Sequence, residues 1–175
     1  ILKLYKMSFN NQTRPPELSS GIHHYREILK KKLYQFIEDC GIGLLVPQNA
    51  LTIPLNIPLA LALTELIAET GIPTIAHHHD FFWERKRFLS NCVWDYFNAA
   101  YPPHLKSIYH VVINSSAANQ LALRTGISAT MIPNVMDFEN PPGPPDEYAR
   151  DVRSALGVQD DELLVLQPTR VVPRK

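Results

Sequence analysis

Ile22, Tyr25, Ile28, Leu29, Leu33, Phe36 and Ile37 recur at three- and four-residue intervals, opposite Lys30, Lys31 and Lys32. That spacing predicts an amphipathic helix, capped by Ser19 or Ser20 and ended by Gly41, with the lysines on a solvated face. The residues before it, 5–17, are polar and contain prolines, and no element is expected there. Gly43-Leu44-Leu45-Val46-Pro47 is a short apolar strand. The stretch 57–69 is apolar nearly all round, with Pro58 in its first turn and Gly71 beyond its end, so it is a helix packed inside. A buried strand, 73–77, follows within a few residues, and strand–helix–strand implies parallel neighbours joined by a right-handed crossover.

The same alternation continues. Residues 81–100 are at least partly helical, with Phe82, Phe88, Leu89, Val93, Trp94 and Phe97 on an apolar side that Pro102-Pro103 terminates. A third strand, 108–113, turns at Asn114-Ser115-Ser116 into a helix over 117–125 closed by Gly126, and 130–133 is a fourth strand. The expected class is α/β, a Rossmann-like parallel sheet with helices on both faces.

Asn140-Pro141-Pro142-Gly143-Pro144-Pro145 can join neither a sheet interior nor a helix and reads as a linker. The expected domains are therefore 1–140 and 141–175. In the second, Asp146 caps a helix over 147–156, Gly157 ends it, and 162–166 opens a strand that runs into Gln167-Pro168-Thr169-Arg170. The chain starts Ile1-Leu2-Lys3 and stops at Lys175 without a helix stop signal, which suggests an internal fragment lacking its own first strands.

Composition narrows the function classes. The chain has 175 residues, 45% of them hydrophobic, enough for a full core. Lys+Arg and Asp+Glu number 17 each, and no basic stripe interleaves with aromatics, so neither a nucleic-acid surface nor an anionic membrane surface is supported. Cys40 and Cys92 fit no metal spacing and no disulfide scaffold, which favours free thiols in a reducing, cytoplasmic setting. The longest apolar run, near 55–63, is too short for a bilayer and holds Pro58, so no transmembrane segment is expected. Oligomeric state is not legible.

Chemistry concentrates in Ala76-His77-His78-His79-Asp80-Phe81-Phe82-Trp83-Glu84-Arg85, where a buried strand gives way to imidazoles, a carboxylate, aromatics and a guanidinium. In open α/β sheets ligands sit beyond the carboxyl ends of the strands. On an extended backbone His77 and His79 share a face and His78 points to the other. Asp80 can accept from a hydroxyl, orient His79 or cap a helix; Phe82 and Trp83 can stack on a sugar ring or belong to the core. Arg85 and Arg87 can hold an acidic or phosphorylated acceptor, or pair with a neighbour such as Glu84. Gln48 and Asn49, at the end of the first strand, can read sugar hydroxyls or cap the next helix. His77, His79 and Asp80 are also chemically able to hold a metal, but no further ligand partner is in sight, so no metal is expected. A non-catalytic nucleotide- or partner-binding module is the other alternative.

The order of a strand ending at His79, a strand followed by Asn114-Ser115-Ser116, Ile132-Pro133-Asn134-Val135-Met136-Asp137, Leu156-Gly157, and Thr169-Arg170 with Lys175 five residues later resembles the family 4 retaining glycosyltransferases of GT-B architecture. The resemblance covers most of the chain from about Asn49 onward and rests on several motifs in sequence. It implies the N-terminal half of a two-domain fold and the opening strand of the second domain. It implies a nucleotide-sugar donor and a small-molecule acceptor as partners, transfer with retention, and no cofactor. Arg170 and Lys175 match the basic pair on the donor diphosphate, where fixed cations stabilise the departing charge. His79 matches the histidine on the transferred sugar. Asp80, Trp83, Arg85 and Asn49 are then the acceptor-side candidates. Two departures stand out: Val135 where the family has glycine, and Thr169 where glycine precedes the diphosphate arginine. A fragment without the donor-domain carboxylates is expected to be inactive alone.

Overall fold

The computed structural model describes residues 1–166 apart from Pro142 and Pro145. The chain divides into two compact units, Ile1–Asn134 and Val135–Lys175. In the first unit the order is α1 (Leu2–Ser8), α2 (Pro16–Cys40), α3 (Ile57–Thr70), β1 (Thr74–His78), a 3-10 turn (Phe82–Glu84), α4 (Lys86–Leu89), α5 (Trp94–Ala100), β2 (Ile108–Val112), α6 (Ser115–Thr125) and β3 (Ala129–Met131). The three strands form one parallel sheet in the order β1-β2-β3. The α/β class and a Rossmann-like parallel sheet flanked by helices thus stand as expected.

The expected strand 43–47 lies along the free edge of β1 as two isolated parallel bridges, Leu45 to Thr74 and Gln48 to His77. Its ladder is otherwise regular: Leu45 N donates to Pro73 O, Ile75 N to Leu45 O, His77 N to Pro47 O and Asn49 N to His77 O. Pro47 has no N–H for the one rung that would join the bridges, so proline chemistry splits the strand.

Helix α3 is as the sequence predicts: Asn56 Oδ1 accepts from Leu59 N, Pro58 lies in the first turn, and Gly71 closes the end at φ 65°. Its Ala60, Ala62, Leu66 and Ile67 are fully buried. Of these, Ala60, Leu66 and Ile67 form the main core with Leu18, Ile22, Leu51, Ala76, Phe88, Val93 and Phe97. Helix α2 starts three residues ahead of the expected serine cap, with Pro16 in its first turn and no side-chain cap. It is fastened to α3 by Lys30 Nζ to Glu65 and Glu69 and by Tyr34 OH to Glu69, while Arg26 pairs with Glu65. Lys31 and Lys32 remain exposed.

Helix α1 has no counterpart in the sequence reading. It buries only Leu4 and Ser8, too short a pattern to show a period. It docks where Gly21 offers no side chain; a Cβ there would lie 2.7 Å from Leu4 Cδ2. The segment 81–100 is helical only in pieces, because Asn91 breaks it: its Nδ2 donates to Phe88 O and its Oδ1 accepts from Val93 N. Asn114 Oδ1 accepts from Ala117 N, so α6 begins at Ser115, and Gly126 ends it.

In the second unit the expected helix over 147–156 forms as two single turns, α7 (Glu147–Arg150) and α8 (Val152–Ala155), with Gly157 at φ 71°. Residues 163–166 make no strand, and no other extended segment among the described residues of this unit offers the ladder a strand requires. Asp137 forms a turn by accepting from Asn140 N.

Candidate functional site

The three consecutive histidines separate by face. His78 is wholly buried, whereas His79 is exposed and His77 lies between. His78 Nε2 lies 2.9 Å from Nδ1 of buried His110, its neighbour but one across the β1–β2 register. Such a contact carries one proton between two neutral rings. Burial, helped by the neighbouring histidines, pushes His78 down to about 3, and burial pushes His110 down to about 4. His78 Nδ1 and His110 Nε2 have no hydrogen-bond partner among the described residues.

On the other face the rings of His77 and His79 approach to 4.6 Å between centroids. His79 is held twice by the neighbouring edge segment. Its backbone N donates to Asn49 Oδ1 at 2.7 Å, and its Nε2 lies 3.2 Å from Gln48 Oε1. Asn49 takes a left-handed backbone, φ 56°, one of two non-glycine residues described there. Desolvation, with a smaller contribution from His79, lowers the pKa of His77, and its Nε2 is buried without a partner.

The chain then turns sharply. Phe81 N donates to Glu84 Oε2 and Glu84 N to Phe81 O, closing the 3-10 turn. Phe81, fully buried, stacks on Trp83 at 4.4 Å with the planes 5° apart and touches His78 at 5.5 Å. It belongs to a small second core with Val112, Ala117, Leu121 and Ile127. Arg124 of α6 lies 5.5 Å over the Trp83 ring. Arg85 forms an ion pair with Asp80. Asp80 Oδ1 and Trp83 Nε1 are buried and unpartnered, an acceptor and a donor within three residues.

Of the expected residues, His79, Asp80, Trp83 and Arg85 follow the carboxyl end of β1, and Asn49 reaches His79 from the edge segment. Asp80 caps no helix and pairs with Arg85 instead. Trp83 combines stacking with an unspent N–H, and Arg87 lies over the Phe88 ring. Arg170 and Lys175 fall outside the described residues. Sequence reading missed His110, whose signal was its place opposite the histidine strand, and Arg124, which only the fold brings to Trp83. Among the described residues no three His, Cys, Asp or Glu side chains are grouped to hold a metal ion. His77, His79 and Asp80 do not converge: Gln48 engages the His79 ring and Arg85 engages Asp80. No described helix is long and apolar enough to cross a membrane, and Cys40 and Cys92 are unpaired.

No protein-family model matches the chain, and no solved structure matches it. Two curated proteins do, both named mannosylglucosylglycerate synthase. The chain is 34% identical to the one from Petrotoga mobilis over 158 residues, covering 88% of this chain and 35% of that protein. It is 37% identical to the one from Thermotoga maritima over 158 residues, covering 86% of this chain and 36% of that protein. The chain spans about a third of the length of the curated relatives it matches, and what it is similar to is that third of two glycosyltransferases.

Proposed function

We propose that this chain is the acceptor-side part of a GT-B glycosyltransferase of family 4 that moves a sugar from a nucleoside-diphosphate donor to a small acidic acceptor with retention of configuration. What supports the reading is the carboxyl end of β1, where Asn49 holds His79, Arg85 pairs with Asp80, and His77 Nε2, Asp80 Oδ1 and Trp83 Nε1 are buried without partners among the described residues. Unpaired buried donors and acceptors are costly unless a ligand satisfies them, and a polyol offers hydroxyls that both donate and accept. The similarity to two glycosyltransferases supports the class.

In this reading His79 holds the transferred sugar at the reacting centre. Asp80 Oδ1 accepts from an acceptor hydroxyl, Trp83 offers Nε1–H and its ring face, and Asn49 offers its Nδ2. Arg85, beside Asp80, brings a planar guanidinium whose geometry suits a carboxylate or phosphate on the acceptor. Arg170 and Lys175 stabilise the departing diphosphate, whose oxygen takes the acceptor proton as the new bond forms on the same face of the sugar. No metal or cofactor has a part in these steps. The name of the relatives, a mannosyl on a glucosylglycerate, makes glucosylglycerate the acceptor to try first. The free thiols suit a reducing cytoplasm.

The test is nucleoside diphosphate release by the complete protein across a panel of nucleotide sugars with glucosylglycerate present. One donor is expected to be consumed with an α- or β-configuration retained in the product, and Arg170→Ala is expected to cost on the order of 10²-fold or more in kcat. Folded protein that consumes no donor, with or without that acceptor, overturns the reading and leaves the binding module.

A further inference from the structure

Asn49 has a left-handed backbone, φ 56°, which glycine adopts freely and asparagine tolerates better than other side chains. Its side chain also makes a contact that glycine could not. Here the Oδ1 of Asn49 accepts from His79 N at 2.7 Å, while its own N donates to His77 O at 2.9 Å. The preceding residue, Gln48, pairs with His77 across the edge and sets Oε1 at 3.2 Å from His79 Nε2. Two adjacent residues of one segment thus grip both the backbone and the ring of the same histidine.

That grip falls where the sheet itself stops helping. β1 ends at His78, so the ladder no longer fixes the backbone of His79, and the ring is exposed. Without Asn49 its N–H would face water; without Gln48 its ring would be steadied only by the edge of His77. A carboxamide oxygen accepts and cannot donate. With Oε1 facing the ring, as here, the proton sits on Nε2 and the Nδ1 lone pair is left for a ligand.

We infer that Gln48 and Asn49 are positioning residues, a two-point clamp that presents His79 to its ligand with Nε2 protonated and Nδ1 free. The inference rests on the reading of His79 as the sugar contact, but the clamp can be measured without any sugar.

The experiment is hydrogen exchange of the His79 amide together with nitrogen-15 spectra of its ring, on this chain, for the wild type, Asn49→Gly, Gln48→Leu and Gln48→Lys. Glycine keeps the backbone conformation and removes only the side chain, so melting temperature is expected to hold while the His79 amide exchanges about five- to tenfold faster, the share of one hydrogen bond. The Gln48→Leu ring spectrum is expected to move toward a mixture of the two tautomers. Gln48→Lys, a donor without an acceptor, is expected to move the proton to Nδ1. An unprotected His79 amide in the wild type, or one ring spectrum across all three Gln48 side chains, overturns the clamp. Adding a panel of nucleotide sugars to the complete protein separates the two ideas: perturbed His79 ring lines support both. A protected amide with silent ring lines supports the clamp and removes the sugar contact.

Discussion

The two faces of β1 treat the same side chain in opposite ways. Inward, His78 meets His110 in a dry interior and both are held neutral. Outward, His77 and His79 lie one above the other at the rim, gripped by amides and close to water. The chemistry of imidazole is unchanged between them; the environment decides whether it packs or binds. The inward pair joins two strands and, through Phe81, braces the Trp83 turn. The outward pair is held instead by each other and by Gln48 and Asn49 of the edge segment.

If the inward face is the scaffold, damage there should be the most costly. Phe81→Ala, which empties the space between His78 and Trp83, is expected to destabilise the first unit by about 3–5 kcal/mol in denaturant unfolding. A loss below about 1 kcal/mol, within the range of an ordinary surface change, would mean the second core does not brace the Trp83 turn.

Acid should find the same face next. The unfolded chain takes up protons on these two histidines as pH falls through about 6.5. The folded chain takes them up only near about 4 and about 3. Stability present above about pH 6.5 is therefore lost on acidification, by at most about 2.7 kcal/mol per pH unit for two protons. His78→Leu, close in volume, is expected to cost stability at neutral pH by orphaning His110 Nδ1 and to reduce the acid slope by about half. An unchanged slope would assign the acid sensitivity to other groups.

The smallest effect belongs to the outward face. His79→Ala is expected to shift stability by less than about 0.5 kcal/mol, as for an exposed side chain, while removing donor consumption in the complete protein. A large loss of stability would erase the contrast between the faces.

The sequence carried most of this scaffold in plain terms. Helix α3 was legible because apolar residues dominate it and Asn56, Pro58 and Gly71 mark both ends. The split of the histidines was legible from the two-residue period of a strand alone. Helix α1 was not, since its docking depends on a gap at Gly21 that becomes visible only when two distant segments meet. The split of the edge strand could have been read from Pro47, whose missing N–H matters once the strand is known to have a neighbour. The pairing of the residues named for the acceptor side was hidden. Arg85 turned to Asp80, and Asn49 turned its oxygen to the backbone of His79. Which partner a polar side chain takes depends on contacts far apart in sequence, and no local pattern encodes them.

The notch at Gly21 has one more consequence, for how the first turn comes loose. α1 is tied at its far end, where Phe9 bridges Asn91 and Cys92 N donates to Ser8 O, while its near end rests on Leu4 fitting a space no larger than a missing methyl. Local opening of α1 therefore starts on its Leu4 side and is checked at Phe9, so amide exchange is expected to be faster at Tyr5 than at Cys92.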